Sequence, residues 1–374
     1  MGRTFAPLQG IKVIDFSHVI AGPFATFHLA LMGADVLKIE NPNGGDVMRR
    51  GERGHESFLA LNAGKRLAVF DIAAPDDRTS VIDLVRGADV FVDNLRPGVL
   101  EKHGLGYAAM QAINPGLIYC SISGFGRSKG SPSSTGWQGR PAYDHIVQAA
   151  SGMTLTGGLD GEPPVKVGFP VIDAGAGIIA AFAIVSALLE RDRTGLGMLL
   201  DVSMAGAALH LMYPMTCEAL THGTSPKRVG TQAFSGSPAA DLFPTLDCQW
   251  IALAANTPKQ FLALLAVLGL SDLARDPALF DPPLDANAPA SFLRTKDMAA
   301  VKRALAAEIL RFDAADLETE LAAVTVPAAR VRTLGEFAQE AQTADAIDVI
   351  ELAGDGARVV SPGLGFRVVR ASKA

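Results

Sequence analysis

The chain has 374 residues, of which 49% are hydrophobic and 19% are charged, and its formal net charge is −6. This length and composition predict a folded globular protein of two domains, because one core usually serves about 100–200 residues. The mild acidity, without any Lys/Arg stripe along the sequence, argues against a nucleic-acid partner.

The cysteines and the N-terminal residues indicate a compartment. Cys120, Cys217 and Cys248 form no CxxC pattern, which favours a reducing environment over a disulfide framework. The first nine residues lack the pattern of a signal peptide, and the apolar run Ala174–Leu189 is shorter than a membrane span needs. We therefore expect a cytoplasmic protein with no membrane partner.

Strands and helices are predicted to alternate along the first 125 residues. Pro23 opens the first helix and Gly33 ends it. Such alternation is typical of βαβ units with a parallel sheet, whose ligands bind beyond the carboxyl ends of the strands. The predicted strands are Ile11–Phe16, Asp35–Glu40, Leu67–Ile72, Val90–Asp93 and Leu117–Ile122, and the helices include Phe24–Met32, Ser80–Gly87 and Tyr107–Ile113.

The rest of the chain predicts a second, smaller domain. We place a large domain at 1–222, a small α+β domain at 223–330 and a C-terminal segment at 331–374 that returns to the large domain. Before the polar linker Thr221–Pro238 we expect the loop Gly124–Pro141 and the helices Asp173–Glu190 and Ser203–Thr221. After the linker we expect strands at Trp250–Ala254 and Val326–Val331 and helices at Pro258–Leu268, Met298–Arg311 and Ala314–Ala323.

Familiar catalytic and binding motifs are missing from the sequence. It has no GxGxxG or GxxxxGK[ST] phosphate loop, no HxxxH or HExxH metal pattern and no GxSxG elbow. No metal site is therefore predicted. The loop Ser17–Pro23 after the first strand either turns free amides towards a ligand or is an ordinary strand-to-helix connection.

Asp173 stands at the start of a long apolar helix and has two interpretations. An Asp in this place is usually an N-cap. The same position suits a nucleophile, because small neighbours leave room for a bulky substrate and first-turn amides could stabilise an oxyanion. Gly175 and Gly177 each cost a helix about 1 kcal/mol relative to alanine, which a helix built only for stability would avoid.

Several ordered blocks of this sequence resemble family III CoA-transferases of the formyl-CoA and carnitine CoA-transferase type, which have α-methylacyl-CoA racemases as relatives. The resemblance covers residues 8–255, and beyond them the match is only in outline. The blocks are Gly10–Pro23, Leu31–Glu40, Asn62–Arg66, Val92–Gly98, Asn114–Gly126, Tyr143–Gly152, Asp173 and Glu190–Gly195.

The resemblance implies covalent catalysis by Asp173. In such transferases the aspartate attacks an acyl-CoA thioester, forms a mixed anhydride and then an aspartyl-CoA thioester, and a free carboxylic acid completes the exchange. An ordinary carboxylate is ionised at pH 7 and needs no general base. Acyl-CoA is then a substrate, and no permanently bound cofactor is expected. The resemblance also implies a Rossmann-like large domain for CoA and an interlocked homodimer.

The resemblance places the CoA contacts on loops at the strand ends. At Asn41 some family members carry Arg, and Lys102 stands where others have Arg, which keeps the charge but loses bidentate geometry. Phe70 and Leu95 could equally be core residues, and Lys102 an exposed helix charge. The implied contacts are Val19, Ile20, Ala21, Asn41, Phe70, Asp71, Asn94, Leu95 and Lys102, with Arg140 as a looser phosphate candidate.

Tyr143 separates transferase from racemase in this resemblance. Racemases place a His there as the acid–base partner of the aspartate, whereas Tyr, with a pKa near 10, is a poor proton shuttle at neutral pH. His145 is two residues away and points elsewhere on a helix. The alternatives are a 2-methylacyl-CoA racemase and a CoA-binding protein without catalysis. A dinucleotide dehydrogenase ranks third, since its glycine fingerprint is missing.

Two departures from the family pattern concern the lid and the C-terminus. A glycine-rich flap covers the site of formyl-CoA transferase, but the corresponding segment here, Phe234–Pro238, has one glycine, so a mobile lid is not expected. The chain also ends soon after Leu364, without the family's usual C-terminal helix. We expect that difference to loosen or alter dimer packing.

Overall fold

The computed structural model describes residues 5–127, 136–137, 140–287, 291–354 and 356–369. The chain divides into two compact units. Unit 1 comprises Met1–Thr156, Pro164–Pro226 and Ala344–Ala374, and unit 2 comprises Gly157–Pro163 and Lys227–Thr343. The boundaries that the sequence predicts for the large and small domains stay a prediction.

A six-stranded parallel sheet forms the centre of unit 1. The strand order is β3-β2-β1-β4-β5-β6, which reverses between β1 and β4 as in doubly wound nucleotide-binding folds. The predicted α/β class with a parallel sheet is therefore confirmed. The strands are β1 Lys12–Asp15, β2 Asp35–Glu40, β3 Arg66–Val69, β4 Val90–Asp93, β5 Ile118–Ser123 and β6 Met198–Ser203.

Helices cover both faces of this sheet. Successive strand residues point to opposite faces, so Val13 packs in the cluster with α1 and α7, whereas Ile14 packs in the cluster with α3 and α5. The helices of unit 1 are α1 Ala21–Leu31, α2 Glu52–Asn62, α3 Pro75–Arg86, α4 Val99–Lys102, α5 Tyr107–Ile113, α6 Asp144–Ala150, α7 Val171–Thr194, α8 Met204–Leu211 and α9 Tyr213–His222.

The long helix α7 differs from its prediction in length. It has 24 residues rather than the predicted Asp173–Glu190, and Gly195 ends it in the left-handed conformation. By length and composition α7 could cross a membrane, so the expectation that the apolar run is too short was wrong. Half of its most apolar stretch is buried inside the protein, as in the core helix of a globular domain.

Unit 2 has its own antiparallel sheet and hydrophobic core. Phe261, Leu305 and Leu317 are fully buried in that core. Ser237, in the segment Phe234–Pro238, is also buried, and its hydroxyl donates to the Ala255 carbonyl at 2.8 Å. The elements are β7 Leu242–Pro244, β8 Trp250–Leu253, α10 Pro258–Val267, α11 Met298–Ile309, α12 Ala314–Ala323, β9 Ala328–Arg330 and α13 Leu334–Thr343.

The chain then returns to unit 1 as an antiparallel hairpin. Its strands are β10 Ile350–Gly354 and β11 Ala357–Ser361. The Gly64 amide after α2 donates to the Ala353 carbonyl at 3.0 Å, which ties the hairpin to unit 1. Neither this hairpin nor β6 was among the predicted elements.

Candidate active site

A cavity of about 340 Å³ lies in unit 1 at the carboxyl ends of β1, β4 and β5. This is the sheet edge beyond the switch point, where ligands of doubly wound folds bind. Loops supply most of its wall, β5 supplies two residues, and α1, α7 and α8 supply one residue each. The lining residues are His18, Val19, Ile20, Ala21, Asn94, Leu95, Arg96, Pro97, Ile122, Ser123, Gly124, Phe125, Gly126, Arg140, Pro141, Ala142, Tyr143, Asp173 and Met204.

The loop after β1 is held in an unusual backbone conformation. Val19 has a φ of 66°, a region that β-branched residues rarely adopt and that costs roughly 1–3 kcal/mol. Its amide donates to both carboxylate oxygens of Asp46 at 3.2 Å. Asn94 fixes the backbone of His18, the residue before Val19. Its side chain accepts from the His18 amide and donates to the His18 carbonyl, both at 2.7 Å.

Four buried charged side chains lie beneath this loop. Lys38 Nζ donates to Asp46 at 3.2 Å, and Lys65 Nζ donates to Asp15 at 3.1 Å. Burial raises the pKa of Asp15, but Lys65 and Lys38 outweigh it and lower the pKa to about 2. Burial lowers the pKa of Lys65 to about 8. Because the ions neutralise one another, they hold the cavity loop without leaving a buried charge unpaired.

Asp173 is the third residue of α7 and not its N-cap. The interpretation of Asp173 as an ordinary N-cap was therefore wrong. Asp144, at the start of α6, supplies the cap instead. One of its carboxylate oxygens accepts from the Ile172 amide at 2.7 Å and from the Asp173 amide at 3.0 Å. Pro170 accepts from the next amide of the turn. These first-turn amides are therefore engaged, and the prediction that they form an oxyanion hole was wrong.

The Asp173 carboxyl group has an altered acidity. Burial, reinforced by the Asp144 carboxylate, raises its pKa to about 7. The expectation of an ordinary carboxyl group that is ionised at neutral pH was therefore wrong, because burial and the like charge of Asp144 favour the protonated form. Perturbed carboxyl groups in cavities are typical of functional sites.

The two glycines after Asp173 serve helix packing. A Cβ on Gly177 would lie 2.7 Å from the Ala21 carbonyl oxygen, and one on Gly175 would lie 2.7 Å from the Leu211 side chain. The glycines thus let α7 approach α1 and α8 closely. Helix packing, and not the predicted room for substrate, therefore explains these two glycines.

The structure brings together eight of the twelve predicted site residues and leaves four outside the cavity. The exposed Asn41 side chain accepts from the Asn43 amide, the half-buried Phe70 packs on the core, and Lys102 is exposed at the end of α4. Asp71 closes the turn before α3 and accepts from the Ala73 amide. The residues at the cavity are Val19, Ile20, Ala21, Asn94, Leu95, Arg140, Tyr143 and Asp173.

Other residues at this site were not predicted. His18 lines the cavity, and burial together with the nearby Lys38 holds its pKa below the ordinary value, so the ring is neutral at pH 7. Asp144 was missed although it adjoins Tyr143. The sequence feature that could have identified Asp144 is its spacing from Gln148, a polar residue one helical turn later. Both lie beside Val147, which is fully buried. Trp137 was not predicted either, and the predicted residue Arg140 stacks on it, with 4.5 Å between the guanidinium carbon and the ring centre.

Metal ligands do not cluster in the parts of the chain that the structure describes. Among those residues no three His, Cys, Asp or Glu side chains are arranged to hold an ion.

Comparison with known proteins identifies the family. The model of CoA-transferase family III matches residues 8–373. The chain belongs to CoA-transferase family III. It is 34% identical over 376 residues to the succinate–glutarate CoA-transferase of Agrobacterium fabrum, covering 97% of this chain and 89% of the relative. It is 38% identical over 277 residues to the acetyl-CoA:oxalate CoA-transferase of Acetobacter aceti, covering 72% and 69%.

A solved structure agrees with this assignment. A CAIB/BAIF family protein from Brucella suis matches with a TM-score of 0.77 and 31% identity, over 92% of this chain and 89% of that one. The predicted family and enzyme class are thus confirmed, and this family III CoA-transferase acts on CoA thioesters.

Proposed function

We propose that this family III CoA-transferase moves CoA from an acyl-CoA to a free carboxylic acid, with Asp173 as the nucleophile. The observation that carries the proposal is the position of Asp173 in the wall of the cavity, together with residues of the loops after β1 and β4. A carboxylate in that place can attack a thioester whose CoA portion lies along those loops.

The proposed reaction has two covalent stages on one carboxyl group. A carboxylate oxygen of Asp173 bonds to the thioester carbonyl carbon, the C–S bond breaks, and CoA leaves as the thiolate with the bonding electrons. The thiolate then attacks the Asp173 carbonyl of the mixed anhydride and releases the donor acid. Attack by the acceptor carboxylate and return of the thiolate reverse these stages with the new acid.

We further propose that both acids are short dicarboxylates. The relatives named above are CoA-transferases for succinate and glutarate and for oxalate. Arg96 and Arg140 line the cavity and give it positive charge that suits carboxylate or phosphate groups.

Incubation with succinyl-CoA and one acid at a time tests this function. We expect mass spectrometry to detect oxalyl-CoA or glutaryl-CoA when oxalate or glutarate is supplied, and little product with acetate or propionate. Asp173→Asn should lower the rate by at least about a thousandfold, since the covalent route needs a carboxylate. A variant that keeps wild-type activity would contradict the assignment of the nucleophile.

The same assay separates racemisation from transfer. Tyr143, 66% exposed at the start of α6, lines the cavity where the racemases carry a His. We therefore expect a chiral 2-methylacyl-CoA in deuterium oxide to gain no deuterium at its α-carbon. Deuterium uptake without CoA reaching any acceptor would support the racemase alternative. CoA binding with neither reaction would support a binding protein without catalysis.

We also propose that the enzyme is a homodimer. Unit 1 exposes large apolar side chains on α7 and α9, with Phe182 at 74%, Leu189 at 65% and Leu220 at 81%. Such side chains grouped on outer helices favour a protein–protein interface. Light scattering coupled to size exclusion should give twice the 39.1 kDa mass of the chain, and a monomer mass would refute the dimer.

A further inference from the structure

The carboxylate of Asp144 binds the backbone of the turn that carries Asp173. It is 8% exposed and accepts from the Ile172 and Asp173 amides through one oxygen. Its other oxygen accepts from Gln148 Nε2 at 2.5 Å, and the Gln148 side-chain oxygen Oε1 accepts from the Val167 amide at 2.9 Å. Two segments that flank the start of α7 are thus fixed to α6 through this one carboxylate.

The hydrogen-bond donors to Asp144 are neutral, at least in the part of the chain that the structure describes. Amide and carboxamide N–H groups solvate the Asp144 charge but do not cancel it, so its field reaches the neighbouring Asp173 carboxylate. Burial together with this field raises the pKa of Asp173 to about 7. An Asp144 carboxylate oxygen lies 3.0 Å from the Asp173 amide nitrogen, and like charges on neighbouring groups in a low-dielectric site repel one another.

Protonation is only one of the ways to remove the charge of Asp173. Formation of the anhydride or of the aspartyl-CoA thioester turns the carboxylate into a neutral acyl group, and the negative charge leaves with the thiolate or the released acid. The repulsion that favours the protonated acid therefore also favours both covalent intermediates over the free carboxylate. An interaction that raises the free energy of the Asp173 carboxylate favours the protonated acid, the anhydride and the thioester over that carboxylate by the same amount.

Resting on the proposed function, we propose that Asp144 is a positioning residue that fixes the backbone of Asp173 and drives acyl transfer onto it by destabilising its charged form. Asp144 is not among the residues that line the cavity, and it acts through Asp173. Its two effects are separable, because a neutral acceptor such as Asn keeps hydrogen bonds to the amides and lacks the charge.

Other titratable groups near α7 have to be considered in a pH test. Near the cavity, α6 contributes Asp144 and His145, and the lining loops contribute His18, Arg96, Arg140 and Tyr143. The packed elements also carry His28 on α1, Cys120 on β5, Asp201 on β6 and His210 on α8. Among all of these, Asp144 is the group whose charge raises the pKa of Asp173.

The experiment compares wild type, Asp144→Asn and Asp144→Glu with succinyl-CoA and succinate. Intact-protein mass spectrometry measures the equilibrium fraction of Asp173-bound CoA at a fixed ratio of donor to acid, and kcat/KM is measured from pH 5 to 9. For Asp144→Asn we expect a smaller adduct fraction, meaning the fraction of Asp173-bound CoA. We also expect the acid limb of its kcat/KM profile, the pH range in which activity falls as Asp173 is protonated, to move to lower pH. A carboxylate is about one-tenth ionised one pH unit below its pKa, so relative kcat/KM there can rise by up to about tenfold.

The outcomes distinguish the inference from its alternatives. Asp144→Glu keeps the charge and should retain the wild-type limb. Asp144→Ser repeats the neutral substitution if Asn impairs folding. Asp297→Asn, at the N-cap of α11, is the matched capping control and should leave limb and adduct unchanged. A reduced kcat with an unmoved limb and an unchanged adduct fraction would overturn the inference. An active wild type without any Asp173 adduct would instead refute the proposed function.

Discussion

At the scale of single residues, the site places a carboxyl group where its charge is unfavourable. Burial and Asp144 hold the folded-state pKa of Asp173 at about 7, above the ordinary 3.8. Below pH 3.8 the group is neutral in the folded and unfolded chains, and no stability is lost. Between pH 3.8 and about 7 the unfolded chain releases this proton while the folded protein keeps it, so stability falls across that window, and above pH 7 both forms are ionised and the loss is complete.

Asp173→Asn should therefore stabilise the protein only at higher pH. The amide is neutral throughout, so we expect a gain of about 2–4 kcal/mol in unfolding free energy at pH 8 and almost none near pH 4. Urea unfolding at both pH values measures the difference. The exposed Asp160→Asn serves as control, and a gain equal at both pH values would contradict the assigned acidity.

The buried ions under the Val19 loop give a second prediction at this scale. Asp46→Asn leaves the fully buried Lys38 without a full counter-charge and weakens the acceptor of the Val19 amide. We expect a loss of about 3–5 kcal/mol in stability and a higher KM for acyl-CoA with a smaller change in kcat. Asp83→Asn, which breaks the exposed pair with Arg86, should cost under about 1 kcal/mol. Equal effects of the two variants would refute this account.

At the scale of elements, the contact between α1 and α7 sets the position of the nucleophile. Gly177→Ala places a methyl group 2.7 Å from the Ala21 carbonyl oxygen and 3.1 Å from Phe24 Cβ, so the helices have to separate. We expect a loss of about 1–3 kcal/mol and a lower kcat. Gly335→Ala in α13 meets nothing within 4 Å and should gain up to about 1 kcal/mol. Thermal unfolding and initial rates compare them.

Sequence patterns predicted the elements well where the pattern is strong and local. The first five strands and α5 lie within two or three residues of their predictions, because apolar runs bounded by Gly, Pro and Asn mark them. The strand β6 was missed, since Met198–Ser203 is defined mainly by its pairing with β5, nearly eighty residues earlier. The hairpin β10–β11 was missed as well.

The site shows a similar division between local and long-range information. Loops that follow strands can be assigned to one sheet edge, and the family resemblance named Val19 and Asn94 as CoA contacts on two of these loops. The bond between Asp144 and the amide of Asp173 joins residues 29 positions apart and has no local pattern. The pKa of Asp173 is raised by its burial and by the charge of Asp144, both set by the tertiary structure, so the sequence suggested the nucleophile but not its acidity.

At the scale of the whole molecule, the chain leaves unit 1 at residue 157, joins unit 2 for seven residues and returns before α7. Arg228 holds this excursion within unit 2. Its Nε donates to the Gly157 carbonyl at 2.8 Å, and its other nitrogens donate to the Glu162 and Pro163 carbonyls. One planar guanidinium thus satisfies three main-chain acceptors of an otherwise mostly exposed segment.

Arg228→Ala should release the segment 157–163 without unfolding either core. We expect its amides to exchange with deuterium at least about tenfold faster, a local opening worth about 1–3 kcal/mol, while β1 and α10 stay protected. Arg228→Lys should rescue little, because an ammonium cannot span three carbonyls as a fork does. Arg193→Ala, at a 76% exposed side chain, is the control. Exchange that is unchanged in 157–163 would mean that the isolated bridge between Leu159 and Val229 suffices to hold the segment.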